Sequence, residues 1–506
     1  MKKTHELERY LDRLKEDMLL LNVQAAEEAL KRRVEWLSYD SQESRPGTLF
    51  VCKGAHFSAR YLEDALSKGA FCYVSEKSYE EELSPEGKKA GVILVKDIRR
   101  AMAALADLFY NRPWERLSLI GITGTKGKST TAYFIRSILD KHLLRMGKPL
   151  SAVISSIDTY DGVMGFESHL TTPEAIMLQR HFYNAAESGV DYLTMEVSSQ
   201  ALKYDRVTGI TFDVGCFLNI GEDHISQAEH VDFDDYFESK LLLFSQCKTA
   251  CVNLESSHIE EILYAAEGCG RLITFGKREE AEVYGHHIVK KEGCISFMVR
   301  TPGFSGEFRL TMPGLFNVDN ALAAIAVCCA LDIPQEDIYE GLLCARVSGR
   351  MEVFENADRG VTVIVDYAHN RMSFETLFDS IIREYPHCGI WAVFGCPGGK
   401  AFARRQELGE IAGRFSGKVI LTEEDAGEES VTDICRQIAA WVKAQGCPYE
   451  IAEDREEAVR RAIEDAPENT VILLTGKGRE TRQKRGTAYI DCPSDVELVE
   501  KYLYRS

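Results

Sequence analysis

Alternation between apolar runs and amphipathic segments organises the middle of the chain. Apolar strand patterns occur at 117–122, 193–197, 214–220 and 250–253, with helical patterns between them. Continuous apolar runs of this length are typical of parallel strands that are covered on both faces. The pattern therefore predicts a central domain over 115–345 with a mostly parallel sheet.

The same alternation begins again in the last third of the chain. Apolar strand patterns occur there at 361–365, 390–394, 418–421 and 471–474. Two of them are followed by glycine-rich loops, which favour a ligand-facing rim over core packing. The pattern predicts a C-terminal Rossmann-like domain over 346–506.

The first part of the chain mixes helical segments with short strand patterns at 47–52 and 70–74. A helical pattern over 98–110 ends shortly before Pro113, and proline disfavours helix in the residue before it. We therefore expect a small N-terminal α/β domain over 1–114. A chain of 506 residues exceeds what one core usually organises, so an α/β protein with three domains is the predicted fold class.

A glycine-rich turn, Gly124-Thr125-Lys126-Gly127-Lys128-Ser129-Thr130, joins the first strand of the central domain to an amphipathic segment. Glycine lets the backbone turn tightly, so that successive N–H groups and the positive end of the next helix surround phosphate oxygens. The Lys128 ammonium would approach the β- and γ-phosphates, and the Ser129 hydroxyl would bind Mg²⁺. The turn predicts nucleotide binding, although Gly121 lies one residue too early for the usual loop spacing.

Polar side chains follow two further strand patterns of the central domain. Glu196 ends one of them, and Asn219, Asp223 and His224 follow another. The carboxyl ends of parallel strands meet at one edge of a sheet, so we expect these groups near the phosphate loop. Each alone is more typical of a solvated loop or a structural histidine, but together they favour a metal site beside the nucleotide.

The composition of the chain indicates which kinds of partner it binds and in which cell compartment it is expected. Acidic residues outnumber basic ones by 79 to 60, and the formal charge of −19 argues against a general nucleic-acid or anionic-membrane surface. The 15 cysteines have no C-x-x-C pairing and are expected to be reduced and mostly buried. With no leader pattern and no membrane-length apolar run, we expect a cytoplasmic monomer that binds small molecules, without nucleic acid or membrane insertion.

An ordered set of motifs resembles those of the Mur ligases, and the resemblance covers essentially the whole chain. The motifs are Thr123-Gly124-Thr125-Lys126-Gly127-Lys128-Ser129, Met195-Glu196-Val197-Ser198-Ser199, Phe316-Asn317-Val318-Asp319-Asn320, Gly349-Arg350-Met351-Glu352, Asp366-Tyr367-Ala368-His369 and Gly476-Lys477-Gly478. The segment Thr171-Thr172-Pro173-Glu174 narrows the resemblance to the type that adds the third residue of the peptidoglycan stem peptide. The ordered set is highly specific, whereas each motif alone is not.

The resemblance implies an ATP-dependent amide ligase of peptidoglycan precursor synthesis, and hence a part in cell shape and division. ATP would phosphorylate the D-glutamate carboxylate of UDP-N-acetylmuramoyl-L-alanyl-D-glutamate, and the amine of a diamino acid would attack the acyl phosphate. Phosphate leaves well where a carboxylate oxygen does not, so the protein must neutralise charge and position the reactants. The three domains would bind the UDP-sugar, ATP and the amino acid in that order along the chain.

The resemblance also implies the residues that contact ATP and metal. The expected ATP-binding residues are Gly124, Thr125, Lys126, Gly127, Lys128, Ser129, Thr130, Asn317, Arg350 and Asp366. The expected ligands of two Mg²⁺ ions are Ser129, Glu196, His224 and Lys240, the last as a carbamylated lysine. Carbamylation turns an ammonium into a carboxylate-like ligand, which explains a lysine near Mg²⁺. The expected catalytic residues are Lys128, Glu196, His224 and Lys240.

Substrate contacts are implied in all three domains. The expected residues are Ser41 in the uridine-diphosphate loop, Thr171, Thr172, Ser198 and Arg206 around the muramoyl peptide, and Arg405, Glu424, Asp425, Gly476 and Glu480 around the added amino acid. Because the ATP contacts are divided between the second and third domains, closure of the third domain over the second is expected to complete the site.

The segment that would choose the amino acid departs from the diaminopimelate-adding pattern. Where those members have Asp-Asn-Pro-Arg, this chain has Glu424-Asp425-Ala426-Gly427. The arginine fork that would pair with the extra carboxylate of diaminopimelate is missing, whereas Glu424 and Asp425 suit a side-chain ammonium. L-lysine is therefore favoured, with meso-diaminopimelate as the alternative.

Three other functions stay open at this stage. A folylpolyglutamate-synthase-like ligase shares the ATP module, but the 114 residues before the phosphate loop argue against it. A non-catalytic paralogue could bind muramoyl peptide or nucleotide as a regulator, although Lys128, Ser129, Glu196, His224 and Lys240 together favour an active enzyme. A generic phosphate-loop ATPase would hydrolyse ATP without any muramoyl peptide.

Overall fold

The computed structural model describes residues 4–54, 57–168, 170–222, 229–291 and 293–504. Helices cover mostly parallel sheets in successive units along the chain, which confirms the predicted α/β fold class. The boundaries at 114 and 345 stay a prediction. In the described part of the chain, no helix is long and apolar enough to cross a bilayer.

The N-terminal unit is built on a small sheet with the strand order β1-β5-β4-β3-β2, in which only the β1–β5 pair is antiparallel among the described strands. Its elements are α1 (Leu7–Glu16), β1 (Leu20–Gln24), α2 (Glu27–Leu30), β2 (Trp36–Ser38), β3 (Thr48–Val51), α3 (Ala59–Ser67), β4 (Ala70–Ser75), β5 (Gly91–Val95) and α4 (Ile98–Tyr110). Helix α4 begins after Asp97, whose carboxylate accepts N–H bonds from Arg99 and Arg100, and ends at Asn111 in the left-handed region.

The central unit carries the phosphate loop. Its elements are β6 (Ser118–Thr123), α5 (Lys128–Arg145), β7 (Ala152–Ile154), β8 (Asp158–Tyr160), β9 (Gly165–Glu167), α6 (Ala175–Glu187), β10 (Tyr192–Glu196), α7 (Ser199–Lys203), β11 (Phe212–Phe217), α8 (Phe233–Leu241), β12 (Cys247–Asn253), α9 (Ile259–Ala266), β13 (Arg271–Gly276), β14 (Val283–Lys291), β15 (Cys294–Arg300), β16 (Ser305–Leu310), α10 (Asn317–Ala330) and α11 (Gln335–Cys344).

Strand β6 lies inside this sheet, between β10 and β11, and is parallel to both. The register places Glu196 of β10 beside Ile122, and Phe217 of β11 beside Thr123. The carboxyl ends of the three strands are therefore level, as the sequence predicted for ligand-binding groups. Antiparallel strands extend the sheet at both ends, through β14–β16 on one side and β7–β9 on the other.

The C-terminal unit repeats the doubly wound plan in a sheet with the strand order β17-β18-β22-β19-β20-β21, in which only β17 is antiparallel to its neighbour among the described strands, and β23 and β24 form a separate antiparallel pair. Its elements are β17 (Glu352–Asn356), β18 (Val361–Asp366), α12 (Arg371–Glu384), β19 (Gly389–Phe394), α13 (Ala403–Phe415), β20 (Lys418–Leu421), α14 (Val431–Ala444), β21 (Tyr449–Ile451), α15 (Arg455–Asp465), β22 (Thr470–Thr475), β23 (Arg482–Arg485), β24 (Ala488–Asp491) and α16 (Asp495–Leu503).

Helix α12 docks the C-terminal unit onto the central unit just before α10. The Glu384 carboxylate accepts an N–H bond from Leu315 at 2.9 Å and lies 3.3 Å from Lys290 Nζ. Ser380 accepts a second bond from the same Leu315 N–H at 2.9 Å. The two units thereby meet beside Asn317, one of the predicted ATP contacts.

Candidate active site

The phosphate loop has the strand–turn–helix geometry that its sequence predicts. Gly124 and Gly127 have φ values of +147° and +83°, which side chains rarely adopt. A Cβ added to Gly127 would clash with Oδ1 of Asn320 on α10. Both the backbone conformation and the space around position 127 therefore favour glycine there. The first turn of α5 follows directly and faces the concave side of the loop.

Asn219, which follows β11, fixes the conformation of this loop. Its carbonyl accepts the Thr125 N–H at 3.0 Å, and its Oδ1 accepts the Lys126 N–H at 2.8 Å. Its Nδ2 donates to the Lys126 carbonyl at 3.1 Å. The neighbouring strand end thus holds the loop in shape before any ligand binds, which lowers the entropy that binding must overcome.

Two predicted catalytic lysines meet at one carbonyl of the loop. Lys128 Nζ donates to the Gly124 carbonyl at 2.8 Å, and Lys240 Nζ donates to the same oxygen at 3.0 Å. Lys240 lies on α8 with only 1% of its surface exposed, 4.6 Å from the centroid of the Tyr236 ring. The partly buried Lys128 ammonium beside the phosphate loop contributes to the local positive potential that an acidic protein needs to bind a polyanion.

Glu196 and Ser129 are joined through a residue that the sequence analysis did not select. The Glu196 carboxylate, 1% exposed, accepts the Ser156 N–H at 2.8 Å, and the Ser156 hydroxyl lies 3.0 Å from that of Ser129. Ser156 follows β7, a short parallel strand beside β10. Ser156 could have been selected because it lies in a polar run after a strand. The apolar run at 152–154 is too short, however, to be recognised as a strand from the sequence.

These oxygen donors suit a hard divalent cation. Hydroxyl and carboxylate oxygens are the ligands that Mg²⁺ prefers, completed by water and nucleotide phosphates. Within the described residues no group of three His, Cys, Asp or Glu side chains forms a separate metal cluster. His224, the remaining predicted ligand, lies outside the described residues.

A cavity of about 490 Å³ lies between the central and C-terminal units. Most of the predicted ATP contacts line it, namely Thr125, Lys126, Gly127, Lys128, Ser129, Thr130, Asn317, Arg350 and Asp366, together with Glu196, Thr171, Ser156 and Asn320. Gly124 contributes its carbonyl behind the loop rather than a wall of the cavity. The fold therefore gathers residues separated by more than 200 positions around one space of nucleotide size.

The C-terminal wall of this cavity is ordered by Asp366. Its carboxylate accepts N–H bonds from Met351 at 3.0 Å and Ala368 at 2.8 Å. Burial raises the pKa of Asp366, while the charge of Arg350 opposes that rise. The Arg350 guanidinium lies 4.4 Å from the centroid of the Tyr367 ring, on the rim of the cavity.

A second cavity of about 550 Å³ adjoins the first and shares Ser156, Arg350 and Tyr367 with it. It lies between the β8–β9 hairpin and the loop that contains Lys477 and Glu480. The shared lining residues place the two cavities side by side, so a ligand in one would lie close to a ligand in the other.

Four of the predicted amino-acid contacts lie together around Lys477. The Lys477 ammonium is 3.1 Å from Asp425 and 2.7 Å from Glu480. A Cβ added to Gly476 would clash with the Glu424 carboxylate. Burial raises the pKa of Glu424 to about 7, which Asp425 reinforces and Arg455, Arg404 and Lys477 oppose.

Arg405 does not join this group in the structure. Its guanidinium, 3% exposed, donates to both carboxylate oxygens of Glu429 at 2.7 Å and to Gln437 at 2.8 Å. Neither described cavity wall includes it. A bidentate buried ion pair of this kind holds Arg405 in a structural position, and its contact with an amino acid stays a prediction.

Three of the four predicted muramoyl-peptide residues, Thr172, Ser198 and Arg206, form one hydrogen-bonded unit at the end of β10. The Thr172 hydroxyl donates to the Glu196 carbonyl at 2.8 Å and accepts the Ser198 N–H at 3.1 Å. Arg206 donates to the Thr172 carbonyl at 3.0 Å. Ser41, in contrast, lies buried in the N-terminal unit, where its carbonyl accepts a bond from Lys68 at 3.2 Å.

A phosphate loop at the edge of a mostly parallel sheet, closed by a second α/β unit, defines a nucleotide-binding protein of the phosphate-loop class. Two family models match the chain, the Mur ligase middle domain over residues 122–328 and the Mur ligase glutamate ligase domain over 349–478. The chain belongs to the Mur ligase family, which confirms the resemblance found in its motifs.

Relatives extend over nearly the whole chain. UDP-N-acetylmuramoyl-L-alanyl-D-glutamate–L-lysine ligase of Enterococcus faecalis is 37% identical, over 94% of this chain and 92% of that protein. The enzyme of the same name from Streptococcus thermophilus is 37% identical over 92% of both chains. UDP-N-acetylmuramyl-tripeptide synthetase of Ligilactobacillus salivarius is 35% identical over 93% of this chain and 94% of that protein.

Solved structures share the fold. A UDP-N-acetylmuramoyl-L-alanyl-D-glutamate–2,6-diaminopimelate ligase superposes with a TM-score of 0.67 and 21% identity, covering 99% of both chains. MurF from Acinetobacter baumannii superposes with a TM-score of 0.67 and 18% identity, covering 99% of this chain and 98% of that one. At these identities the likeness concerns the fold alone.

Proposed function

We propose that the protein is an ATP-dependent ligase that joins L-lysine to the D-glutamate carboxylate of UDP-N-acetylmuramoyl-L-alanyl-D-glutamate. The observation that supports this most directly is the cavity in which the phosphate loop, Glu196, Arg350 and Asp366 meet. The names of the Enterococcus and Streptococcus relatives specify L-lysine. The same proposal places the protein in the cytoplasm as a monomer in peptidoglycan precursor synthesis.

ATP and Mg²⁺ fit the residues of the first cavity. The loop offers backbone N–H groups and Lys128 to the phosphates, and the glycine at 127 permits the left-handed turn that forms the loop. Ser129 and Glu196 would hold one Mg²⁺, and His224 with carbamylated Lys240 would hold a second. The ions would supply charge neutralisation between the triphosphate and the substrate carboxylate.

The proposed ligation has two steps, formation of an acyl phosphate and formation of the amide bond. An oxygen of the D-glutamate carboxylate attacks the γ-phosphorus, and the bond to ADP breaks, which gives an acyl phosphate. The lysine amine then attacks the acyl carbon, the amide C–N bond forms, the C–O bond to phosphate breaks, and the amine proton is released. The residues of this chain hold the phosphates, orient the carboxylate and exclude water.

The amino acid would be recognised by the acidic group around Lys477. Asp425 and Glu480 pair with the ammonium of Lys477 in the chain itself, and we infer that the same carboxylates would also attract the side-chain ammonium of a bound lysine. Glu424, buried beside them, adds a further carboxylate whose charge favours an ammonium over the extra carboxylate of diaminopimelate.

The test is phosphate release by the purified protein with ATP, Mg²⁺ and UDP-N-acetylmuramoyl-L-alanyl-D-glutamate. L-lysine and meso-diaminopimelate are supplied in separate reactions, and a reaction without the muramoyl dipeptide is the control. Release with lysine alone is the expected result. Release with diaminopimelate alone would overturn the amino-acid assignment, and release without the dipeptide would favour a generic ATPase. No release with either amino acid would overturn the proposed ligase activity.

A further inference from the structure

A buried carboxylate joins the N-terminal unit to the central unit. Glu174, directly before α6, places its Oε1 2.7 Å from Lys53 Nζ and 2.9 Å from a guanidinium nitrogen of Arg206. Lys53 follows β3 of the N-terminal unit, whereas the other two residues belong to the central unit. Two cations from different units thus share one carboxylate oxygen, and we call this group the Lys53–Glu174–Arg206 bridge.

The bridge is connected to the candidate active site. A second nitrogen of Arg206 donates to the Thr172 carbonyl at 3.0 Å, and the Thr172 hydroxyl donates to the Glu196 carbonyl at 2.8 Å. Thr171, the preceding residue, lines the first cavity. The position of Arg206 therefore sets the backbone of the loop that would hold the muramoyl peptide, and Glu174 sets the position of Arg206.

The charges of the bridge do not cancel. One carboxylate faces two cations, and the three side chains are between 10% and 17% exposed. Partly buried charge without a full partner is unfavourable, so a bound anion would be stabilised there. A nearby ion pair across the same seam is balanced, because Arg180 of α6 binds Glu43 of the N-terminal unit through two hydrogen bonds of 3.2 and 2.9 Å.

The shape and charge of the proposed substrate match this arrangement. UDP-muramoyl dipeptide has a diphosphate at one end and free carboxylates at the other, so it must reach from the N-terminal unit to the cavity beside Glu196. The bridge connects the end of β3 in the N-terminal unit with the loop before α6, where Thr171 lines the first cavity, and it has two cations for one carboxylate.

We propose that Glu174 is a positioning residue for the muramoyl substrate. It orients Arg206 and Lys53 towards the anionic groups of that substrate and so couples binding in the N-terminal unit to placement of the D-glutamate end. Glu174 itself does not contact the reacting atoms. The inference rests on the proposed function, because it names a residue that serves the same substrate.

The first experiment compares wild-type protein with Glu174→Gln, which keeps the shape of the side chain and removes its charge. The KM for UDP-muramoyl dipeptide is expected to rise about tenfold, since a charge-assisted contact to Arg206 is lost. The KM values for ATP and lysine, and kcat at saturation, are expected to change less than about twofold. Lys53→Met, on the other unit, is expected to give the same division between KM and kcat.

Glu43→Gln is the matched control, because it breaks the other ion pair across the seam without a link to Thr172. Its kinetic constants are expected to stay at the wild-type values. Equal effects of Glu43→Gln and Glu174→Gln, or a lower melting temperature of Glu174→Gln with an unchanged KM for the dipeptide, would overturn the inference.

Calorimetric titration with UDP-muramoyl dipeptide separates this inference from the proposed ligase activity. If the wild-type protein binds the dipeptide but forms no amide, the proposed function fails while the binding comparison still applies. The dissociation constant of Glu174→Gln is expected to be about tenfold weaker than that of wild type. An unchanged constant overturns the inference even where the ligase activity is present.

Discussion

At the scale of single residues, the two lysines of the phosphate loop region share one hydrogen-bond acceptor but have different proposed roles. The Nζ atoms of Lys240 and Lys128 bind the same carbonyl, yet Lys240 is proposed as a carbamylated metal ligand and Lys128 as a cation. Lys240→Ala is expected to lose most ligase activity, and added acetate is expected to restore part of it because it replaces the missing carboxylate. The measurement is the rate of phosphate release at increasing acetate concentration.

Lys128→Ala is the control for that experiment. Its activity should fall as well, but a carboxylate cannot replace an ammonium that binds phosphate, so acetate should restore nothing. Normal turnover by Lys240→Ala, or equal restoration of both variants, would contradict the metal-ligand role.

Glu424 gives a residue-scale prediction that depends on pH. Burial raises the pKa of this carboxyl to about 7, so it is protonated below that pH and ionised above it. An ammonium binds the ionised form better, and the KM for lysine is therefore expected to fall as pH rises through about 7. The measurement is the KM for lysine between pH 6 and pH 8, at saturating ATP and dipeptide.

The variant Glu424→Gln tests the origin of that pH dependence. It should have a higher KM for lysine at pH 8 and no change of KM across the range, because the titrating group is gone. A profile that keeps its midpoint in Glu424→Gln would show that another group titrates.

At the scale of elements, the turn between β6 and α5 makes a sharp prediction. Gly127→Ala introduces a side chain at a φ of +83° and against Asn320, so both backbone strain and a steric clash disfavour the wild-type loop. ATP affinity is expected to fall at least about tenfold, as measured by nucleotide titration calorimetry, while the backbone strain alone is worth about 1–2 kcal/mol.

Gly189→Ala is the control for general destabilisation, because it adds a side chain at a left-handed glycine outside the phosphate loop. Gly189 has a φ of +77° and nothing within 4 Å of an added Cβ, so this variant has the strain without the clash. Its ATP affinity should equal that of wild type. A similar loss in both variants would mean that general destabilisation, rather than the shape of the loop, explains the Gly127 effect.

Elements with their own boundary signals could be predicted from sequence. The helix predicted over 98–110 is α4 because Asp97 caps its start and Asn111 ends it. The helix after the phosphate loop begins earlier than its amphipathic pattern, at Lys128, because its first turn is polar and faces the ligand site. The sequence analysis did not predict strands β14 to β16, because the end of β14 is polar and exposed and the apolar run in β15 is only three residues long.

The part of the candidate site that lies at the ends of parallel strands could be predicted from the sequence. Strand ends of β6 and β10 bring the phosphate loop and Glu196 together, as a parallel register requires. Contacts between distant segments had no such signal. The pairing of Lys53 with Glu174 across two units, and the partnership of Arg405 with Glu429, depend on tertiary packing that no local pattern encodes.

At the scale of the whole molecule, the first cavity exists only while the C-terminal unit is docked. Glu384 of α12 has no exposed side-chain surface and binds both Leu315 N–H and Lys290 at the edge of the central unit. Removing this carboxylate leaves the Leu315 N–H with Ser380 as its acceptor, and leaves the partly exposed Lys290 ammonium with the backbone carbonyl of residue 384. Glu384→Ala is therefore expected to lower stability by about 2 kcal/mol and to raise the KM for ATP, because Asn317 and Asp366 lie on opposite sides of the weakened contact.

Two measurements on Glu384→Ala distinguish docking from local damage. Calorimetric unfolding should show the C-terminal unit separating from the central transition at lower temperature, and ATP kinetics should show a raised KM with the lysine preference unchanged. Glu375→Ala, on the exposed face of the same helix and paired with Arg371, should change neither quantity. If Glu384→Ala unfolds in one lowered transition with a normal KM for ATP, the carboxylate stabilises its helix but does not dock the unit, and closure of the nucleotide site must depend on other contacts.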